Sequence, residues 1–229
     1  NNNDFESLFY GPNQVSFKHE NYLKNIQTVL YKIGSNPKRL NVYFSKENNP
    51  EINMNSGDFP EVILQNQSDK YLFSNVSGAS AYYEYYYTEY DNLYDKKITW
   101  KPLFKQEDKI PFFSVDQDDL YFITAREASN FKICKTSLKN LDVRNPEILV
   151  AEDPKATISD FVITKQGLFF VKTKNGVSSK LYRLQSGNIE EIPIPEIDGA
   201  KLHPGLSGMR VQDLIHPDYE SSVGAIVIE

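Results

Sequence analysis

Three segments of this chain repeat one another. "SDKYLFSNV", "DDLYFITAR" and "KQGLFFVKT" each set a polar turn ahead of an aromatic and aliphatic strand, with Tyr71, Tyr121 and Phe169 at the same point, 50 and then 48 residues apart. Ahead of each lies a shorter apolar strand: "PEVILQ", "IPFFSV" or "ISDFVI". Behind each come two more: "YYEYYYTEY" with "WKPLF", "FKICKTSL" with "PEILVA", and "SKLYRLQ" with "IEEIPIP". Each unit therefore reads as one four-stranded antiparallel meander. A four-strand repeat of roughly 40–50 residues is the signature of a β-propeller blade, because one small twisted sheet cannot bury both its faces and must stack on neighbours around an axis.

The fold expected is all-β, a β-propeller of four-stranded antiparallel blades forming a partial ring of about four to five. Residues 1–50 read as a partial blade, 51–105, 106–153 and 154–199 as full blades, and 200–229, with "VGAIVIE" near its end, as the start of a further one. The candidate strands run from 28–33 through 189–194, and no window sustains helical periodicity over ten or more residues. Asn175-Gly176 and Ser186-Gly187 supply the positive-φ residues that tight hairpins need. In "AYYEYYYTEY" the alternation puts Tyr83, Tyr85 and Tyr87 on one face and Tyr82, Tyr86 and Tyr90 on the other. Aromatics on both faces suit a sheet packed between two others better than a ladder that stacks a ligand. Tyr71, Phe73, Phe122, Ile123, Phe169 and Phe170 fall in second strands and are expected to be largely buried.

Composition narrows the function. Lys and Arg number 25 against 31 Asp and Glu, a net charge of −6 with no basic stripe, so the long-range field repels phosphate backbones and nucleic acid is a poor partner. No run approaches the ~18 apolar residues of a membrane span. The start "NNNDFESLFY" has neither the basic nor the apolar region of a signal peptide, and reads as cut from a longer chain. A single cysteine, Cys134, makes no intrachain disulfide and leaves the compartment open between cytoplasmic and periplasmic or secreted.

Within the middle repeat, "TAREASNFKI" resembles the T-N-x-x-A-P-N-x-[RK]-[LI] turn in the propeller of the prolyl oligopeptidase family of serine peptidases. Thr124, Ala128, Asn130, Lys132 and Ile133 match; Ala125 and Ser129 stand where that family usually has Asn and often Pro. Upstream, "VLYKIGSNPKRLNVYFSKENNPE" is similar to the family's early blade, with Gly34 and Ser35 matching and Lys32 and Asn41 in place of its common His and Asp. Downstream, the stretch from "PEILVAEDP" to "IPIP" resembles a later blade that ends at Pro195 and Gly199. The resemblance implies a seven-bladed propeller covering an α/β-hydrolase domain that carries a Ser, Asp and His triad, with cleavage of short peptides, typically after proline. It also implies that this chain is the propeller part, its partners being the hydrolase domain of the same parent and short peptide substrates. An arc short of seven blades leaves end faces uncovered, so self-association is expected, or fraying at 1–25 and 200–229.

The residues offer no catalytic, metal or cofactor site of their own. "GLSGM" at 205–209 is not a G-x-S-x-G elbow, because Gly208 follows Ser207 directly, and Ser207 reads as a loop serine. His19, His203 and His216 are scattered without ligand spacing. "DQDD" at 116–119 lacks the central Gly and late Glu of a calcium loop and reads as a hairpin tip. Cys134 lies mid-strand, where a small buried hydrophobe is the usual outcome. Asn66 and Asn75 head glycosylation sequons whose use depends on a secreted eukaryotic source. The rival reading is a non-catalytic propeller that binds protein or glycan partners through its loops or axial channel.

Overall fold

The computed structural model describes residues 7–11, 18–36, 40–64, 70–95, 97–193, 209–215 and 222–228. The chain divides into two compact units, Asn1–Pro111 and Phe112–Glu229.

The first unit holds two sheets. One is three-stranded, β1 (Ser7–Tyr10), β2 (Thr28–Lys32) and β3 (Asn41–Phe44); the other is a four-stranded meander, β4 (Phe59–Ile63), β5 (Tyr71–Ser77), β6 (Glu84–Glu89) and β7 (Lys101–Phe104). Every neighbouring pair is antiparallel. The two sheets close on Phe44, which is fully buried and meets the ring of Trp100 edge-on at 5.3 Å and that of Tyr86 at 6.3 Å. Leu72, Ile98 and Met54 complete that core. Aromatic pairs of this kind add about 0.5–1.5 kcal/mol beyond their buried area.

The second unit repeats the meander twice. β8 (Phe112–Asp116), β9 (Asp119–Thr124), β10 (Lys132–Ser137) and β11 (Glu147–Val150) form one sheet; β12 (Thr157–Thr164), β13 (Gly167–Lys174), β14 (Ser178–Gln185) and β15 (Asn188–Ile192) form the next. A two-stranded sheet, β16 (Met209–Ile215) with β17 (Ser222–Ile228), follows. Ile123, Ile133 and Val150 from the first of these sheets pack with Ile158, Phe161 and Phe170 of the second in one core.

The meander strands lie within a few residues of the positions expected, since each is bounded by turn chemistry. Asn175 and Gly176, at φ 53° and 73°, form a left-handed pair closed by the Val177 N–H donating to the Lys174 carbonyl at 3.2 Å. Ser186 and Gly187 do the same at φ 50° and 81° between β14 and β15. The repeat's phase needs two refinements. The residue sealed in all three second strands is the one after the aligned aromatic: Leu72, Phe122 and Phe170 are 0%, 1% and 0% exposed. Phe169, expected to be largely buried, is half-buried, because alternation turns it to the face opposite Phe170. The tyrosine run also alternates over a shorter span than expected. Tyr85, Tyr86 and Tyr87 are buried within β6, whereas Tyr82 and Tyr83 precede the strand and Tyr90 begins a 3-10 turn, and all three of these are half-buried.

Candidate functional site

The T-x-x-x-A-x-N turn is where the sequence concentrates its unusual chemistry, and the structure shows what each residue does. Seven residues, 125–131, join β9 to β10. Thr124 ends β9 with its hydroxyl buried, and its Oγ1 accepts the Arg126 N–H at 2.9 Å. The Ala128 N–H donates to the Ala125 carbonyl, and the Phe131 N–H to the Ala128 carbonyl at 2.8 Å, so Ala128 is folded into the loop and only 3% exposed. Glu127 and Phe131 take left-handed backbone at φ 55° and 67°, which lets the loop double back.

Asn130 then reaches out of its own sheet. Its Nδ2 donates to the Asp153 carbonyl at 3.0 Å, its Oδ1 accepts from Thr157 Oγ1 at 3.4 Å, and its carbonyl accepts the Ile158 N–H at 3.0 Å. Its own N–H donates to Glu152 Oε1 at 2.7 Å, an oxygen that also accepts from Ser129 Oγ at 3.1 Å. Asn130 thus makes its hydrogen bonds to the segment linking β11 to β12 and to the first two residues of β12. Asp153 extends the tie. Its carboxylate accepts the Lys155 N–H at 2.9 Å and the Lys172 ammonium of β13 at 3.1 Å, and these contacts, the Lys155 N–H foremost, hold it below the usual carboxylate range. On the loop's other side the Arg126 guanidinium donates to the carbonyls of Val143 and Arg144 at 2.8 and 3.0 Å. Ile133, also in the motif, is fully buried in the core beneath, while Lys132 stays half-exposed.

Such an arrangement fixes one sheet to the next. Its one hydroxyl–carboxylate pair, Ser129 with Glu152, is spent on the turn, the same Oε1 also accepting the Asn130 N–H. The other candidates fare likewise: Cys134 is fully buried, and burial pushes its thiol up to about 11, so it is protonated and shielded at neutral pH. His19 is exposed, its Nδ1 accepting the Asn21 N–H at 3.1 Å. In the "DQDD" tip, Asp118 pairs with Lys139 and Asp119 with Lys135, each at 2.8 Å. Asn75 is buried with its Nδ2 on Glu61 Oε2 at 3.1 Å, so its sequon is closed to a glycosyltransferase in the folded chain. Ser207, His203, His216, Asn66, Pro195 and Gly199 lie outside the described residues. Gly34, at φ 83°, sits in a tight turn closed by the Ser35 N–H on the Lys32 carbonyl, a conformation that favours glycine at the matching position. Among the described residues no group of three His, Cys, Asp or Glu could hold a metal ion.

Glu152, Asp153 and Lys172 were not foreseeable as partners of the motif, although the acidic pair directly ahead of Pro154 was a signal that a turn there needed anchoring.

Repeated four-stranded antiparallel meanders, each packed on the next within its unit, define a protein of the β-propeller class. The family described as prolyl oligopeptidase, N-terminal beta-propeller domain, matches residues 2–212, and the chain belongs to that family. No curated protein matches it. Among solved structures it is similar to a chain from a study of two prolyl endopeptidases and the role of inter-domain dynamics in their catalysis and specificity, at 11% identity and a TM-score of 0.68, covering 97% of this chain and 34% of that one. Prolyl oligopeptidase B from Galerina marginata, bound to a 25mer macrocyclization substrate, aligns at 16% identity and a TM-score of 0.63 over 85% of this chain and 27% of its own. Oligopeptidase B from Trypanosoma brucei, with covalently bound antipain, aligns at 15% identity and a TM-score of 0.57 over 91% and 27%. The chain thus spans about a third or less of the length of these proteins.

Proposed function

We propose that this chain is the propeller part of a serine peptidase resembling prolyl oligopeptidase, whose parent hydrolyses short peptides, typically after proline. The observation that carries the reading is the family match over residues 2–212. It is supported by neighbours that are prolyl endopeptidases and oligopeptidases about three times as long as this chain, which leaves room for a second domain. In this reading the propeller covers the active-site cavity and admits only short chains. The chemistry is acyl transfer in an α/β-hydrolase domain outside these residues: a serine attacks the scissile carbonyl, a histidine takes its proton, an aspartate orients the histidine, and an oxyanion hole stabilises the tetrahedral intermediate.

Two assays test it together. The purified 229-residue chain is given a proline-containing chromogenic peptide, and the parent protein encoded by the same reading frame is given the same peptide. The expected result is no turnover by the chain and turnover by the parent that a serine-directed inhibitor abolishes. A parent with no G-x-S-x-G sequence and no hydrolysis, or activity of the chain alone lost in Ser207→Ala, would overturn the reading.

A further inference from the structure

β4 is the terminal strand of its sheet: one edge pairs with β5, and among the described residues no strand pairs with the other. A cavity of about 340 Å³ lies there, with Gly11, Ile26 and Thr28 on one wall and all five residues of β4, Phe59–Ile63, on the other. Side chains of a strand alternate between faces, so five consecutive residues line one cavity only when it runs along the strand's backbone edge. Hydrogen bonding agrees. The Pro60 carbonyl accepts from Thr28 Oγ1 at 2.6 Å, across the gap and away from β5, and in an antiparallel ladder alternate residues point the same way. The N–H and carbonyl of Val62 therefore face the cavity as well. An unpaired strand edge with an apolar border is a template for one more strand.

A second, independent feature specifies what that strand carries. Glu61 lines the cavity and is exposed, and its Oε2 accepts from Asn75 Nδ2 at 3.1 Å. An exposed carboxylate on the cavity's border can accept more than this one bond, and a lysine ammonium or arginine guanidinium supplies several donors. The chain's net charge of −6 draws such a cation in.

We propose that the β4 edge binds an extended peptide, whose main chain pairs with Val62 and whose basic side chain, one residue further along the peptide, is received by Glu61. The cavity is at the small end of ligand pockets, room for a few residues rather than a folded partner. The occupant's identity as a short peptide rests on the oligopeptidase reading above, whereas binding by this chain involves no hydrolysis. Failure here leaves that reading standing, and a parent without peptidase activity leaves this site standing.

The test uses the 229-residue chain and three probes: acetyl-Val-Lys-Val-amide, the same peptide with norleucine for lysine, and the same peptide N-methylated at both valines, the residues whose N–H groups can face Val62 when the lysine lies on the Glu61 face. Binding is followed by amide chemical shifts. The lysine peptide is expected to shift the amides of β4 and Gly11, and to bind roughly tenfold more tightly than the norleucine peptide, the scale of a charge-assisted hydrogen bond. Glu61→Gln, which keeps the Asn75 contact, is expected to erase that difference, and N-methylation to abolish the β4 shifts. Equal binding of the lysine and norleucine peptides, an unaltered preference in Glu61→Gln, indifference to N-methylation, or shifts confined to other strands would each overturn the proposal.

Discussion

The β9–β10 and β13–β14 hairpins occupy the same place in consecutive repeats and are built differently. Beneath them the packing is equivalent, with Phe122 and Phe170 both sealed in the interior. At their tips they diverge. The β13–β14 turn is closed locally by Asn175 and Gly176, and its residues are exposed. The β9–β10 loop is seven residues long, and through Asn130 it spends its polar groups on the segment leading to β12. A short left-handed turn needs only the right φ values. A longer loop costs more chain entropy but can reach a neighbour, and here the extra residues fasten two sheets together.

If the interiors are equivalent, their deletions should be too. Phe122→Ala and Phe170→Ala are each expected to lower stability by ~3–5 kcal/mol in denaturant titrations, whereas Phe169→Ala, at a ring only partly buried, should cost less, roughly 2 kcal/mol. A Phe169 variant as damaging as Phe170→Ala would mean that the phase of the repeat has been set one residue out.

The tips should separate clearly. Asn130→Ala strips the Asp153 carbonyl of its donor and is expected to cost about 1–3 kcal/mol, the range for leaving partly buried polar groups unpaired. Asn175→Ala only moves an ordinary side chain into left-handed backbone, for about 1 kcal/mol at most. Equal losses in the two variants would erase the distinction drawn between the hairpins.

Acid provides a finer and smaller probe. The Asp153 carboxyl is depressed by the Lys155 N–H and by Lys172, so its contribution is present above its unfolded value near ~3.9 and is lost as pH falls through the lower folded value. Asp142, held low chiefly by the Asn145 amides, follows the same sign. Both are solvent-accessible, so the effect is modest. The expected outcome is that Tm falls below pH 4 in the parent sequence and falls less steeply in Asp153→Asn, with Asp142→Asn as the comparison that separates the two carboxylates. An identical acid slope in Asp153→Asn would show that the Lys172 pairing contributes nothing to holding the sheets.

What could be read from residues alone follows the range of the interaction. Asn175-Gly176 and Ser186-Gly187 announced their turns because φ preference is a property of the residue itself. The aromatic repeat announced the blades because each sheet must bury two faces. That same double burial hid the phase: with apolar residues on both faces, periodicity does not say whether Phe169 or Phe170 is sealed. β1, β16 and β17 lie where the repeat is least regular, and β1 was not foreseen as a strand of its own. Of the motif, the matching positions were legible but their purpose was not, since Glu152, Asp153 and Thr157 lie 22 to 27 residues beyond Asn130. The peptide edge at β4 was equally invisible, because an unpaired strand edge is a fact of topology.

The claim that the T-x-x-x-A-x-N turn fastens consecutive sheets is tested most directly at one amide, Ile158, whose N–H donates to the Asn130 carbonyl at 3.0 Å. Native-state hydrogen exchange is measured there and at Val177, whose N–H closes the β13–β14 turn. In Asn130→Ala, exchange at Ile158 is expected to be faster by roughly tenfold or more, the equivalent of losing about 1.4 kcal/mol of local protection, with Val177 unchanged. Protection at Ile158 that is untouched by Asn130→Ala, or lost in step with Val177, would contradict it.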